Sequence, residues 1–120
     1  MFSIRGAITV DRDEKEEIIK SSEELLLKII NSNGISIGDI ISVIFTCTKD
    51  LCSAYPAVGA RNIGITKAGI MCLQEMYVEN SLEKCIRVML LVNGDKNQSD
   101  VKHIYLKKAV SLRPDLMEEF

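Results

Sequence analysis

The chain has 120 residues, 47% hydrophobic and 27% charged, with a formal net charge of -2. That suffices for one domain with one core and is too apolar for a disordered chain. The slight acidity and few aromatics (three Tyr, three Phe, no Trp) leave no basic field or stacking surface for nucleic acid.

No apolar run approaches the ~20 residues that cross a bilayer, so no membrane partner is expected. The start, Met1 to Gly6, lacks the charged opening and long apolar stretch of a signal peptide, and a cytoplasmic protein is expected. Ile4 to Val10 is rich in β-branched residues and predicts a first strand, in which Gly6 allows a backbone or ligand to come close. Asp13-Glu14-Lys15-Glu16 predicts a capping box. The helix it opens runs from about Glu14 to Ser32, with Ile18, Leu25 and Ile29 on one face and Ile19, Leu26 and Ile30 beside them. Glu16/Lys20 and Glu24/Lys28 pair on the wet side. Asn33-Gly34 predicts a left-handed cap.

Ser36 to Asp39 reads as a turn, and β-branched Ile40 to Thr48 as a second, central strand. A loop holding Cys52 leads to Pro56, placed as the first residue of a short helix to Asn62 that Gly64 stops. Gly69 to Met76 is a third strand. Cys85 to Val92 is apolar except for Arg87, ends at Asn93-Gly94-Asp95, and reads as a strand covered on both faces. Gly94 to Asp100 is a polar loop. His103 to Leu112 reads as a last strand, with a helix over Val101 to Lys108 as the alternative. Arg113-Pro114 stops regular structure, and Met117 to Phe120 reads as a tail. The order implies an α+β domain over residues 1–116, a mixed five-stranded sheet with one long and one short helix. One helix cannot cover both faces of such a sheet, so the other face is expected to bury against copies of the chain.

The four cysteines (Cys47, Cys52, Cys72, Cys85) lie in or beside apolar runs without a C-x-x-C pair and read as free buried thiols. A single histidine, His103, and the absence of zinc-type spacing predict no metal site. No phosphate loop or dinucleotide fingerprint is present, and no cofactor is expected.

The arginines carry the sharper signal. Arg5, Arg61, Arg87 and Arg113 sit among apolar, Gly or Pro neighbours, while the lysines occupy polar stretches. A guanidinium keeps its charge when buried, so Arg87 needs either a carboxylate of the chain or an anionic ligand. Arginine grips a carboxylate with two parallel bonds, and several of them suit a small molecule with more than one carboxylate. Glu75 ends an apolar strand and either partners an arginine or faces a ligand. Tyr105 is a core tyrosine or a donor to a ligand. Cys72 lacks the His and Asn or Asp neighbours of a cysteine nucleophile.

Ile4-Arg5-Gly6-Ala7, Tyr55-Pro56-Ala57 with Arg61, Cys72-Leu73-Gln74-Glu75-Met76, Cys85-Ile86-Arg87-Val88, and Tyr105-Leu106 with Leu112-Arg113-Pro114 follow one another along the chain. Together they resemble the monofunctional chorismate mutases of the trimeric pseudo-α/β-barrel (AroH) type. The resemblance implies rearrangement of chorismate to prephenate, on the route to phenylalanine and tyrosine, by a homotrimer with active sites between subunits. It implies Arg87 at the ether oxygen of the breaking bond, Glu75 and Cys72 at the ring hydroxyl, and Arg5 and Tyr105 at the enolpyruvyl carboxylate. Arg61 would approach from a neighbouring subunit, with Tyr55 and Ala57 as wall and Leu112 lining the site. Val58 and Met71 depart from the lysine and threonine often found there, which bears on ring-carboxylate affinity and local hydrogen bonding. The rival readings are a trimeric enamine/imine deaminase or small-carboxylate-binding protein of the related fold, and a non-catalytic module that binds an aromatic amino acid.

Overall fold

The computed structural model describes residues 1–112; Arg113 and the expected 117–120 tail lie outside the described residues. The strands are β1 (Phe2–Thr9), β2 (Ile40–Cys47), β3 (Gly69–Gln74), β4 (Cys85–Val92) and β5 (Ile104–Leu106). The helices are α1 (Lys15–Asn33) and α2 (Ala57–Asn62), with short 3-10 turns at Ile37–Asp39, Gln98–Asp100 and Lys107–Leu112. They form one five-stranded sheet in the order β3-β2-β4-β1-β5. β4 runs antiparallel to both neighbours, β1 and β2, while β3 and β5 add in parallel at the edges. The arginine-bearing strand is therefore the middle of the sheet.

Strand alternation sorts the side chains into two faces. One face carries Ile4 and Ile8 of β1, Val43 and Phe45 of β2, and Ile86, Val88 and Leu90 of β4, all buried. Against it lies the stripe Ile18, Leu25, Leu26, Ile29 and Ile30 of α1, to make the main core. Gly6 sits where the helix comes closest: a Cβ there would stand 2.7 Å from the Ile104 carbonyl and 2.9 Å from Ile29 Cδ1. Gly59 does the same for the two helices, since a Cβ would meet the Ile19 carbonyl at 2.8 Å and Ser22 Cβ at 2.9 Å. The contact seats α2 on α1.

The other face is open. Pairing aligns Met71, Ile44, Met89 and Arg5 in one row across β3, β2, β4 and β1. The next row is Leu73, Thr46, Arg87, Ala7 and Tyr105. Met71, Ile44, Met89 and Leu73 are exposed apolar side chains. So within a single chain β4 is covered on one face only, because α1 is the one long helix and lies wholly on that side; the face expected to bury against copies of the chain is the open one. At the β1–β5 end a small second cluster of Ala7, Cys85, Tyr105 and Ala109 closes this face, with Leu82 and Leu112 packed on it.

Three local expectations change. The capping box does not form: α1 has no side-chain cap at Glu14. The Asp13 carboxylate instead accepts from the backbone N–H groups of Cys52 and Ser53, each at 3.0 Å, while Glu17 accepts from those of Asp11 and Arg12. Each acid serves backbone donors of a loop. The last strand stops at Leu106, because β1, its neighbour, ends one residue beyond their last pair. Lys107 then turns with φ 55 and Lys108 N–H bonds Thr9 Oγ1 at 3.1 Å. Cys52 is exposed, since it sits in the loop that Asp13 ties down; Cys85 is buried, and Cys47 and Cys72 are half-buried. The Gly34 cap is left-handed, with φ 60, as the Asn33-Gly34 pair predicts.

Candidate active site

Arg87 projects from the middle strand onto the open face, so no neighbouring strand edge screens it and its side chain keeps 42% of its surface. Glu75 follows β3 directly. Its backbone N–H bonds the Cys47 carbonyl at 2.9 Å, which extends the β2–β3 ladder one step and turns the acid toward β4. Glu75 Oε1 accepts from Thr46 Oγ1 at 2.5 Å and stands 3.6 Å from Arg87 Nη1. Arg5 lies one row away on β1, with its backbone N–H donated to His103 Nδ1 at 2.9 Å. Tyr105 is 4% exposed. Arg5, Thr46, Glu75, Arg87 and Tyr105 line one open cleft of about 260 Å³, with Ile44 and Met89 as its apolar floor. Two cations, one anion and a phenol converge there. That set has the charges to take a polyanion while offering opposite charge to different parts of it.

The remaining expected residues gather elsewhere. Cys72 pairs in the row of Phe45, on the helix side of the sheet. Burial raises its thiol pKa, against the Ala57 backbone N–H bonded to the sulfur and the charge of Arg61, which lower it. Cys72, Tyr55 and Val58 line a second, larger hollow of about 630 Å³ beyond β3, and Lys15 and Lys49 stand at its rim. Tyr55 is 71% exposed and Met71, on the open face, 60%. Leu112 packs behind Tyr105 in the small cluster, not in the cleft. One chain thus brings Arg5, Glu75, Arg87 and Tyr105 together, and separately groups Ala57, Arg61 and Cys72. It does not join the groups.

Thr46 went unflagged in the sequence. An isolated threonine in a β-branched strand carries no signal until the register with Arg87 is known. Among the described residues no cluster of three or more His, Cys, Asp or Glu could hold a metal ion, and no helix is long and apolar enough to cross a membrane.

Residues 1–116 match the family model for chorismate mutase type I. The chorismate mutase AroH of Thermus thermophilus is 49% identical over 114 residues, which are 94% of this chain and 93% of that one. The chorismate mutase AroH of Bacillus subtilis (strain 168) is 44% identical over 114 residues, 94% of this chain and 90% of its own. A solved structure, a chorismate mutase from Clostridium thermocellum, matches with a TM-score of 0.91 at 49% identity, covering 92% of this chain and 99% of that one. By sequence over nearly its whole length and by fold, the chain belongs to the type I chorismate mutase family.

Proposed function

We propose that the chain rearranges chorismate to prephenate in the cytoplasm, as a homotrimer whose active sites each combine the Arg87 cleft of one copy with the Cys72 hollow of the next. The observation that carries the shared site is the division of the arginines. Arg5 and Arg87 serve one face of the sheet, and Arg61 lies near Cys72, whose side chain is on the other. The exposed apolar strip of Ile44, Met71, Leu73 and Met89 supplies a surface for association. Four unpaired thiols suit a reducing compartment.

The reaction breaks one C–O bond and forms one C–C bond within a single molecule. It needs no proton transfer and no covalent intermediate. Two contributions lower its barrier. Arg5, Tyr105 and the neighbour's Arg61 hold the carboxylates so that the flexible arm lies over the ring, and conformational entropy is lost on binding. Arg87 donates to the ether oxygen as negative charge grows on it, and Glu75 faces the ring fragment as that becomes relatively positive. Cys72 meets the ring hydroxyl as a neutral thiol, with Tyr55, Ala57 and Met71 as wall and Leu112 backing Tyr105. Only contacts that strengthen toward the transition state speed the step, so Arg87 governs kcat while Arg5 and Arg61 position.

Chorismate consumption by the purified chain, followed by absorbance, separates this reading from a deaminase or an amino acid-binding module. The shared site is tested by mixing Arg87→Ala with Arg61→Ala subunits after denaturation. Each variant alone should be inactive. Random reassembly should restore about a quarter of the sites, since each site draws the two arginines from different copies. No recovery from correctly assembled mixtures would place both arginines in one chain's own site.

A further inference from the structure

We infer that Thr46 is a positioning residue for the reaction: its hydroxyl holds the Glu75 carboxylate off Arg87, so that the guanidinium stays available to the substrate. This rests on the proposed roles of Glu75 and Arg87.

Thr46 sits directly across from Arg87 on β4 and from Leu73 on β3, between the two charged groups and on the same face. Its hydroxyl and the guanidinium address the same oxygen, Glu75 Oε1, yet unequally. Thr46 Oγ1 donates at 2.5 Å, whereas Arg87 Nη1 stands at 3.6 Å, inside ion-pair range but outside hydrogen-bond range. The neutral donor, not the cation, makes the hydrogen bond to this oxygen. The backbone of Glu75 is pinned by its N–H bond to the Cys47 carbonyl, which leaves side-chain rotation as the freedom that Thr46 removes. Threonine suits the task because β-branching stiffens χ1, and the strand then fixes where the hydroxyl points.

Without that hydroxyl, Arg87 Nη1 stands 3.6 Å from Oε1 as a donor within reach. An arginine and a carboxylate this close form a direct, often two-pronged, charge-assisted pair. Such a pair would occupy N–H groups that the ether oxygen needs as the C–O bond opens. It would leave the arginines that grip the carboxylates untouched. The effect therefore falls on kcat, with little change in KM.

The test is steady-state kinetics with chorismate on Thr46→Val and Thr46→Ser, beside the wild type and Arg87→Lys, with thermal melts of each. Thr46→Val should lose about tenfold or more in kcat with KM within about threefold, and Thr46→Ser should recover to within about threefold of wild type. In the Glu75→Gln background the Thr46→Val change should cost far less, because a neutral amide does not capture the guanidinium. Should valine prevent folding, Thr46→Ala takes its place in the same cycle. Normal kcat in the folded Val or Ala variant overturns the inference, as does an equal loss in Val and Ser accompanied by lowered melting temperatures. If Arg87→Lys itself turns over normally, the roles assigned to Arg87 and Glu75 fail, and the inference with them.

Discussion

Arg87 and Glu75 face each other on the open side of the sheet, with Nη1 3.6 Å from Oε1 and neither group buried. At this length and exposure an ion pair contributes about 0–1 kcal/mol to stability. Stability therefore does not explain why two opposite charges stand beside the apolar floor of Ile44 and Met89. The proposed reaction does, because a cation and an anion lining one cleft can each meet the part of the substrate that takes on the opposite charge as its C–O bond opens.

Replacing Arg87 by lysine keeps the charge and loses the planar fork. Lysine is a point donor on a longer, freer stem, and it would not reach the ether oxygen in the same direction. Turnover of Arg87→Lys should fall by roughly two or more orders of magnitude, the loss of about 3 kcal/mol for one preorganised donor. Steady-state kinetics on the folded variant measures it, and near-normal kcat would remove Arg87 from the mechanism.

Cys72→Ser should retain substantial activity. Burial raises the Cys72 pKa, so the group in the site is a neutral thiol that a hydroxyl can replace as a hydrogen-bonding wall. Complete loss of activity in a folded variant, or a covalent substrate adduct on Cys72 by mass spectrometry, would show nucleophilic catalysis instead.

The thiols also set a pH dependence of stability. Burial pushes Cys47 up to about 12 and Cys85 up to about 11, from an ordinary value of 9.0. Above pH 9 the unfolded chain releases these protons while the folded chain keeps them. Their stabilising contribution is thus complete below pH 9 and is lost as pH rises toward 11 and 12. Each thiol steepens the fall by up to about 1.4 kcal/mol per pH unit. Urea unfolding of the parent and Cys85→Ala from pH 7 to 10.5 should show the two converging as pH rises; parallel curves would contradict this.

The division between sequence and tertiary structure is plain in particular elements. The long helix was legible because its apolar stripe repeats at the helical period and Gly34 ends it, all within a local stretch. The strand around Arg87 was legible too, since a β-branched run with one arginine stands out without any knowledge of its neighbours. The arginines and Glu75 stood out through their surroundings alone, as charged groups in need of either an ion partner or a ligand. What the chain could not disclose locally was register. The alignment of Thr46 with Arg87, and of Glu75 with both, depends on how β2, β3 and β4 slide past one another. The same holds for the length of β5, which ends because β1 runs out, and for Asp13, which leaves its helix to tie down the Cys52 loop. The separation of Cys72 from Arg87 onto opposite faces follows from strand alternation once pairing is known. Composition and periodicity are properties of neighbours along the chain; contacts between distant strands are made only when the sheet closes, and the cleft is built from those.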